Sequence, residues 1–481
     1  MIETAQLILS PIHQQALAQA DAPAYRVDGK AVNYQTLSQQ TISLSQQLAK
    51  LGLNAGDRLA CISHNNPELL KLYWACVDSG IVFCPISPRF APQQIVELIH
   101  THQYSYYWLA PEHGEVSRLL QCQPNHSRIS VDFDLLSNSE PQQLDPTRTA
   151  NAILTSGSSG TPKAAAHSLA NHIASATGSA ELIALNANDS WLLSLPLFHI
   201  GGLAILNRCA LAGASVIFED KAQALATQLV RDKITHLSLV SAQLRQLLVT
   251  SAEDDSNCLS QVKAMLLGGG AISADLLTQL SARNIKAYTS YGMTEMGSQI
   301  TTGIARSDAS SGKLLSGREL KIIDGEIWVK GECLFLGYLA KDSVNLPLDN
   351  NGWFYTKDLG HFDANGNLCI DGRADNMFIS GGENIQPEEI EAALKLYPLI
   401  SDAIVFPEAD AKFGTLPAAI IKLENVSSNN LESSPSEAEL SAFLADKIAR
   451  FKRPRQYYPW PEVSSAGIKI VRKQVIEAVK A

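Results

Sequence analysis

The segment "TSGSSGTPK", residues 155–163, decides how the rest of the sequence is interpreted. Its serine, threonine and glycine residues have low helix propensity and its proline lacks a backbone donor, so it is predicted to be a loop. It follows "TANAILT" (149–155), which suits the end of a buried strand, and precedes "AAAHSLANHIASATG" (164–178), which is predicted to be a helix. A small-residue loop at a helix N-terminus presents backbone N–H groups that can bind phosphate oxygens. The alternative is a flexible linker, but a linker seldom joins a buried strand to its helix.

Several residues of this loop could contact phosphate through hydroxyl groups, backbone N–H groups or a point charge. They are Thr155, Ser156, Gly157, Ser158, Ser159, Gly160, Thr161 and Lys163. The loop differs from the Walker P-loop, which requires GxxxxGK[ST], because its lysine follows a proline.

Composition limits the class of protein. Hydrophobic residues make up 46% of the chain and charged residues only 18%, which indicates a globular protein with a large core. A length of 481 residues predicts two or three folding units. The formal net charge of −10 argues against a nucleic-acid partner, which would need a large basic surface.

The cysteine pattern and the hydropathy indicate a cytoplasmic protein. The eight cysteines are scattered, contain no CxxC pair and lie mostly among apolar neighbours, so we expect reduced core residues and no metal site formed by them. The N-terminal residues do not resemble a signal peptide, and no stretch reaches the roughly 18 apolar residues of a membrane span, so we expect no membrane insertion.

The order of predicted elements indicates an α/β fold. Strand and helix patterns alternate over residues 34–100 and again over 189–240, which favours largely parallel sheets. After residue 320 the pattern changes to short strands, which predicts a β-rich subdomain of a large N-terminal domain. Beyond residue 373 the chain is predicted to form a small α+β domain, whose first helix begins at "QPEEIEAALKLY" (386–397).

Four further segments carry residues that could take part in catalysis or in ligand binding. They are "YGMTE" (291–295), "YTKDLG" (355–360), "GRADNMFISGGENIQPEEIE" (372–391) and "AGIKIVRKQ" (466–474). Singly, each has an ordinary structural interpretation, such as a turn aspartate or a solvated lysine. Together with the loop at 155–163, their order and spacing resemble the acyl-adenylate-forming superfamily of acyl-CoA synthetases, adenylation domains and beetle luciferases. The resemblance covers essentially the whole chain.

The resemblance implies ATP, Mg²⁺ and CoA as cofactor and co-substrates, and it implies roles for individual residues. The 155–163 loop would close over the β- and γ-phosphates. Tyr291 would stack on adenine, beside a slot lined by Gly268, Gly269, Gly270 and Ala271 and next to the cofactor-binding Gly292. Gly268 and Ser290 would also contact the acyl substrate. Thr294 would contact the α-phosphate and Glu295 would bind Mg²⁺.

The resemblance also divides the chain into residues 1–374 and a mobile C-terminal domain, 375–481. Asp358 would bind the ribose hydroxyls with help from Arg373, and Asp375 would be the hinge. Lys357 stands where the family commonly has glycine.

The catalytic lysine implied by the family is Lys469, which would bridge the substrate carboxylate and the α-phosphate. Here Gly467 and Ile468 precede it, so the motif is one residue longer than the usual glycine–lysine ending. Lys473 and Lys452 are therefore the alternatives.

The acyl pocket is expected around "LPLFHIGGLAILNRCALAGA" (195–214). His199 stands where the family has its gating residue. Arg208 falls on a predicted helix with apolar neighbours, where a guanidinium is costly unless it finds an anion or extends to the surface. The histidine–arginine spacing, the short chain and the "GIKI" ending resemble the ligases that activate 2-succinylbenzoate for menaquinone biosynthesis. That resemblance assigns the aromatic carboxylate to Arg208.

Other functions remain open from sequence alone. They are a ligase for another aryl or medium-chain acid, an adenylation domain that loads a carrier protein, and a nucleotide-binding protein without catalysis. The basic segment "ARFKRPR" (449–455) is either a contact for the CoA phosphates or a solvated face. A homo-oligomer is also compatible with the sequence.

Overall fold

The computed structural model describes most of the chain. The described residues are 6–121, 126–155, 162–253, 258–268, 272, 274–308, 310–341, 343–380, 383–410, 414–424, 435–445, 447–448, 450–462 and 472–480. They form two compact units. The first comprises Met1–Leu320, Val329–Phe354 and Asp363–Leu368, and the second comprises Lys321–Trp328, Tyr355–Phe362 and Cys369–Ala481. Within the described ranges, every helix is too short or too polar to cross a bilayer.

Thirteen α-helices occur in the described ranges. They are α1 (Pro11–Ala18), α2 (Tyr34–Lys50), α3 (Pro67–Ser79), α4 (Pro92–Thr101), α5 (Gly114–Gln121), α6 (Leu169–Ala180), α7 (Ile200–Ala212), α8 (Leu225–Arg231), α9 (Ser241–Glu253), α10 (Ala274–Ala282), α11 (Pro387–Leu394), α12 (Glu437–Phe443) and α13 (Arg472–Lys480).

The strands of the first two thirds of the chain are β1 (Pro23–Val27), β2 (Lys30–Asn33), β3 (Arg58–Ile62), β4 (Val82–Ile86), β5 (Tyr106–Leu109), β6 (Ser127–Arg128), β7 (Thr149–Thr155), β8 (Lys163–Ser168), β9 (Ser190–Leu192), β10 (Ser215–Ile217), β11 (His236–Val240), β12 (Ala264–Gly268), β13 (Lys286–Met293), β14 (Ser298–Ile304) and β15 (Lys313–Leu314).

The remaining strands are β16 (Arg318–Ile323), β17 (Glu326–Gly331), β18 (Gly337–Leu339), β19 (Val344–Asn345), β20 (Phe354–Phe362), β21 (Leu368–Arg373), β22 (Phe378–Ser380), β23 (Glu383–Ile385), β24 (Ile400–Asp410), β25 (Gly414–Leu423) and β26 (Gln456–Pro459). Strands β16-β17-β20-β21, in that order, form a four-stranded sheet.

Two large sheets form the first unit. One has the order β19-β18-β8-β7-β4-β3-β5-β6, and the other has the order β15-β14-β13-β12-β11-β9-β10-β1-β2. Their central pairs, such as β3 with β4 and β11 with β12, are parallel, as the strand–helix alternation predicts. The α/β fold class is confirmed.

Local sequence signals set the helices between these strands. Helix α3 begins where the side chain of Asn66 accepts a hydrogen bond from the backbone of Leu69 and Pro67 takes the first helical position. It ends at Gly80, whose φ of 72° lies in the left-handed region. Helix α2 begins in the same way, with the side chain of Asn33 accepting from the backbone of Thr36.

The prediction of a helix directly after the 155–163 loop is wrong. Residues Lys163–Ser168 form strand β8, which pairs antiparallel with β7, and helix α6 begins only at Leu169. Three consecutive alanines favour a helix in isolation, but here all three are fully buried between neighbouring strands. Sheet pairing and burial therefore override intrinsic propensity.

The second unit contains a sheet with the order β24-β25-β26 and helices α11 to α13. Its core includes Ile390 and Leu394 of α11 with Val405 of β24. Helix α11 begins at Pro387 with acidic residues in its first turn, as predicted. The predicted α+β character of this unit is confirmed, whereas the exact boundary at residue 375 stays a prediction.

A buried polar network connects the two large sheets. His167 of β8 donates from Nε2 to the carbonyl oxygen of Thr294 at 2.7 Å. Its Nδ1 lies 3.4 Å from Nδ2 of Asn151, and the Oδ1 of Asn151 accepts from Nε2 of His172 at 2.6 Å. Burial lowers the pKa of His167 to about 4, although the hydrogen bond to Thr294 opposes that shift. The imidazole is thus neutral near pH 7.

The packing of α7 predicts unequal effects of alanine at two adjacent glycines. A Cβ on Gly202 would lie 2.1 Å from the carbonyl oxygen of Pro196, whereas a Cβ on Gly201 would meet only the end of the Leu195 side chain, at 2.9 Å. We expect Gly202→Ala to lower the free energy of unfolding by about 1–3 kcal/mol through overpacking. Urea denaturation measures this, with Gly201→Ala as the matched control. Equal effects of the two variants would contradict the prediction.

The buried His167 predicts a pH dependence of stability. Its pKa is about 4 in the folded protein against the ordinary 6.5, so the unfolded chain binds the proton more tightly. Stability from this group is complete above about pH 6.5 and falls by about 1.4 kcal/mol per unit as pH drops toward 4. His167→Gln keeps a donor for Thr294 but cannot titrate, so we expect about 2 kcal/mol less loss of stability between pH 7 and pH 5 than in the wild type.

Urea unfolding at both pH values tests this prediction. The exposed His361→Gln serves as the control, and it should change stability by less than about 0.5 kcal/mol. An unchanged pH slope in His167→Gln would show that this imidazole is not the titrating group.

Candidate active site

The two ends of the 155–163 loop lie side by side. Thr155 ends β7 and Lys163 begins β8, and the two residues are paired across the strands. The hydroxyl of Thr155 donates to the carbonyl oxygen of Lys163 at 3.3 Å. The intervening candidates, residues 156–161, lie outside the described residues. The loop therefore connects antiparallel strands, and the expected contribution of a helix N-terminus does not apply to it.

The "YGMTE" segment forms a tight turn between β13 and β14. Residues Thr294–Met296 make one turn of 3₁₀ helix, which ends at Gly297 with a φ of 60°. Gly292 lies at a bulge, where a Cβ would come within 1.9 Å of the carbonyl oxygen of Ser298. Only glycine fits there, so this sequence fixes the path of the chain between Tyr291 and Glu295.

The adenine slot suggested by the sequence is described only in part. Tyr291 is buried and Ser290 is half-buried on β13. Gly268 ends β12, which is the parallel neighbour of β13. It directly follows Leu267, and Leu267 is paired with Thr289 of β13. Residues 269–271 lie outside the described residues. The structure thus brings the ends of the two strands together at the expected place.

Glu295 is held by both its backbone and its side chain. Its carbonyl oxygen accepts from the backbone N–H of Phe335 at 2.8 Å. Its Oε1 accepts from the hydroxyl of Tyr338 at 2.7 Å, and the residue is buried. A single carboxylate of this kind suits Mg²⁺, which is commonly bound by one or two carboxylates together with substrate phosphates. The residues present therefore fit this ion.

Asp358 and Asp375 share one arginine in the second unit. Arg373 Nη1 lies 2.9 Å from Oδ1 of Asp358, and its Nε lies 3.0 Å from Oδ1 of Asp375. Burial alone would raise the pKa of the Asp375 carboxyl, but the hydrogen bond and charge of Arg373 lower it overall. Arg373 therefore lies beside Asp358, and the ribose-binding role expected of Asp358 stays a prediction.

The backbone conformation of Lys357 gives a physical reason why glycine is common at this position in the family. Its φ of 64° lies in the left-handed region, which favours glycine, and its carbonyl oxygen accepts from the backbone of Ala374 at 2.8 Å. The chain therefore keeps the turn before Asp358 despite the lysine.

Arg208 is buried on α7 with only 6% of its surface exposed, so it does not extend to solvent. Its Nη2 donates to Oε1 of Gln299 at 2.6 Å, and its guanidinium lies 5.4 Å from the centre of the Trp191 ring. Burial, reinforced by the nearby Arg318, lowers the pKa of Arg208 to about 10, so the group remains charged at neutral pH. Within the described residues its buried Nε makes no hydrogen bond.

Gln299 has a fixed orientation that sequence reasoning missed. Its Oε1 also accepts from the hydroxyl of Ser179 at 2.8 Å, while its Nε2 donates to Thr302 at 2.7 Å. The amide oxygen is therefore directed at Arg208. The only signal in the sequence was a polar residue inside the strand "SQITTGI" (298–304).

His199 lies at the opposite end of α7 from Arg208. It is half-buried at the N-cap, where its ring meets that of Phe198 edge-on at 4.9 Å. Arg208 lies nine positions further along the chain, which corresponds to about 13 Å along the helix axis. The two side chains thus belong to different parts of any acyl pocket.

Lys469 lies outside the described residues, but both alternative lysines are described. Lys473 pairs with Glu477 at 3.8 Å on α13, and Lys452 pairs with Glu389 at 2.6 Å. In the basic segment, Arg453 donates to the carbonyl oxygens of Ala445 and Ile448, whereas Arg450 and Arg455 are exposed. The basic residues of this segment therefore have unequal environments.

Comparison with known proteins places this geometry in a family. The model "AMP-binding enzyme" matches residues 12–339, and "AMP-binding enzyme C-terminal domain" matches residues 389–466. The 2-succinylbenzoate–CoA ligase of Haemophilus influenzae is 37% identical over 444 residues, which cover 91% of this chain and 90% of that protein.

Solved structures agree with the sequence comparison. The o-succinylbenzoate CoA synthetase of Bacillus subtilis in complex with the acyl-adenylate intermediate OSB-AMP superposes with a TM-score of 0.85 at 26% identity, covering 98% of both chains. The same B. subtilis enzyme in complex with ATP and magnesium ion gives a TM-score of 0.85 at 27% identity, covering 98% of this chain and all of that one. With more than half of its length matched by the first model, the chain belongs to the AMP-binding enzyme family.

Proposed function

We propose that this protein is an AMP-forming acid–thiol ligase that acts on 2-succinylbenzoate. It converts the acid, ATP and CoA into 2-succinylbenzoyl-CoA, AMP and pyrophosphate, a step of menaquinone biosynthesis. Nearly full-length similarity to 2-succinylbenzoate–CoA ligases supports this function. The single structural observation that carries the substrate assignment is the buried, charged Arg208 beside Gln299.

The first half-reaction needs charge neutralisation and alignment more than proton transfer. The substrate carboxylate attacks the α-phosphorus and pyrophosphate leaves. We assign Lys163 and the 155–163 loop to the β- and γ-phosphates, and Thr294 to the α-phosphate. Glu295 would hold Mg²⁺, which when bound neutralises charge on the triphosphate.

The nucleotide is held at two further places in this proposal. Tyr291 offers its ring to adenine beside the backbone of Gly268 and Gly292, and the ribose hydroxyls donate to the carboxylate of Asp358. Ser290 would contact the acyl substrate. Arg373 keeps that carboxylate in position through its 2.9 Å contact. Because Arg373 also contacts Asp375, the ribose site and the proposed hinge share one guanidinium.

Arg208 would bind the aromatic carboxylate, while the succinyl carboxylate is activated. A guanidinium binds a carboxylate through two parallel hydrogen bonds, which gives geometric selection as well as affinity. Gln299 already fixes one edge of the guanidinium, so the group is oriented before the substrate arrives. We assign His199, at the other end of α7, to the opening of the acyl pocket beside the reacting carboxylate.

Lys469 would enter the site with the C-terminal domain, 375–481, for adenylation and leave it for thiol attack. The lysine bridges the substrate carboxylate and the α-phosphate, and rotation at Asp375 then exposes the acyl-adenylate to CoA. We also propose a cytoplasmic location. A homo-oligomer is compatible with this proposal, and light scattering of the purified protein would measure it.

The lysine assignment predicts that the two half-reactions respond differently to one substitution. We expect Lys469→Ala to slow ATP–pyrophosphate exchange by about 10²–10³-fold, since a preorganised charge is lost from the transition state. Thioester formation from preformed acyl-adenylate and CoA should change by less than about fivefold, because that step does not use the lysine. Lys473→Ala and Lys452→Ala are the controls. Loss of exchange in Lys473→Ala instead would move the assignment to that residue.

The pocket assignment predicts selective loss of substrate binding in two isosteric variants. Arg208→Met removes the charge at similar volume, and Gln299→Glu gives the arginine a permanent carboxylate partner. We expect both to raise KM for 2-succinylbenzoate by about 10- to 100-fold, the effect of one charged hydrogen-bonding group, and to leave KM for ATP unchanged.

CoA-ester formation measured by mass spectrometry with 2-succinylbenzoate, benzoate and octanoate tests this. Turnover of benzoate or octanoate in preference by the wild type would indicate a different aryl or medium-chain ligase. Acyl transfer only to a carrier protein, and not to free CoA, would indicate an adenylation domain.

A further inference from the structure

Tyr338 contacts both charged residues that the proposed function assigns to the triphosphate. Its hydroxyl donates to Oε1 of Glu295 at 2.7 Å, and the ammonium of Lys163 lies 4.8 Å from the centre of its ring. The first contact is at the edge of the phenol and the second is over its face. One half-buried side chain therefore lies between a cation and an anion.

The position of Tyr338 is fixed by the strands around it. On β18, Tyr338 pairs with Ala165 of β8, the strand that Lys163 begins. The backbone of Leu336 donates to Ala166 at 2.8 Å, and Phe335 donates to the carbonyl oxygen of Glu295. Phe335 and Tyr338 pack edge-to-face at 4.9 Å. The segment 335–338 thus anchors the tyrosine to the loop strand and to the Thr294–Glu295 turn together.

We propose that Tyr338 is a positioning residue that keeps Lys163 and Glu295 from forming an ion pair with each other. Lysine and glutamate side chains that approach within about 4 Å attract each other, and here Glu295 is buried while Lys163 is exposed. Such a pair would have to separate before the lysine could bind phosphate and the carboxylate could bind Mg²⁺. The aromatic face holds the ammonium without neutralising it, and the hydroxyl orients the carboxylate.

This inference rests on the proposed function, because it concerns the binding of Mg²⁺ and ATP. Two substitutions separate the contact of Tyr338 with Glu295 from its contact with Lys163. Tyr338→Phe removes only the hydroxyl and keeps the ring for Lys163. Tyr338→Leu removes both, and it allows Lys163 and Glu295 to meet.

Equilibrium binding of ATP by calorimetry, without any acid or CoA, tests the proposal. In Tyr338→Phe we expect the Mg²⁺ concentration for half-maximal enhancement of ATP binding to rise about 3- to 10-fold, with ATP affinity in EDTA unchanged. In Tyr338→Leu we expect the same Mg²⁺ effect and, in addition, about 3- to 10-fold weaker ATP binding in EDTA, because the lysine is engaged by the carboxylate.

Tyr458→Phe is the matched control. Its hydroxyl donates to Oε1 of Glu408 at 2.6 Å on β26, outside the residues assigned to ATP, and its removal should alter neither quantity. Thermal unfolding of all variants separates a folding defect from a positioning effect. Loss of a merely structural tyrosine would lower stability, but it would not change the Mg²⁺ dependence of ATP binding and the ATP affinity in EDTA differently in the two Tyr338 variants.

Three results overturn the proposal. They are a wild-type Mg²⁺ dependence in Tyr338→Phe, wild-type ATP affinity in EDTA in Tyr338→Leu, and a wild-type protein that does not bind ATP. The last result would also refute the proposed function. A wild type that binds ATP with Mg²⁺ but does not use 2-succinylbenzoate would refute only the substrate, and the Tyr338 result would stand.

Discussion

The hydrogen bond from His167 to the carbonyl oxygen of Thr294 joins the two large sheets beside the candidate residues Thr294 and Glu295. His167 lies on β8, directly after the phosphate-loop candidate, and Thr294 follows β13 of the other sheet. The backbone contact between Phe335 and Glu295 adds a second link. Because His167 and Phe335 are buried, these two links hold β8, the segment before β18 and the Thr294–Glu295 turn in a fixed relation.

The neutral state of His167 follows from its burial, which lowers its pKa although the hydrogen bond to Thr294 opposes that shift. An imidazole that donates from Nε2 to a carbonyl and accepts at Nδ1 from an amide is neutral and has one tautomer. A protonated His167 would place a positive charge next to the Thr294–Glu295 turn. The contacts of Asn151 with His167 and His172 therefore fix the tautomer of His167.

Much of the fold and part of the site could be predicted from the sequence. The alternation of strands and helices indicated the α/β class. The asparagine and proline that begin α3 can be identified directly in the sequence. The assignment of the loop as a phosphate site stays a prediction, whereas the helix predicted directly after it was wrong, because the alanines at 164–166 are good helix formers whose burial in the sheet is a tertiary effect. No local pattern marks such a strand.

The residues that sequence reasoning missed are those that act through contacts distant along the chain. Gln299 reaches Arg208 across 91 positions, and Tyr338 reaches Glu295 across 43. Neither has a spacing or a motif that identifies its partner. Lys357 is the opposite case, because its left-handed backbone gives a physical reason for the glycine expected from the family pattern.

The cations assigned to the candidate site differ in the partners that hold them. In the first unit Lys163 lies over an aromatic ring, and Arg208 contacts an amide oxygen and an indole. In the second unit Arg373 is bound to two carboxylates. A neutral partner fixes the position of a cation without cancelling its charge, whereas a carboxylate largely cancels it.

This difference matches the chemistry that we propose for each place. A protein with a net charge of −10 must bring together a triphosphate and a dicarboxylate, which are all anions. Cations that meet these anions directly need their full charge, so amide and aromatic partners suit Lys163 and Arg208. Arg373 acts differently, because it orients a carboxylate toward uncharged ribose hydroxyls, and an ion pair serves that purpose best. The choice of partner, more than the number of basic residues, therefore separates the groups that bind anions from those that position other side chains.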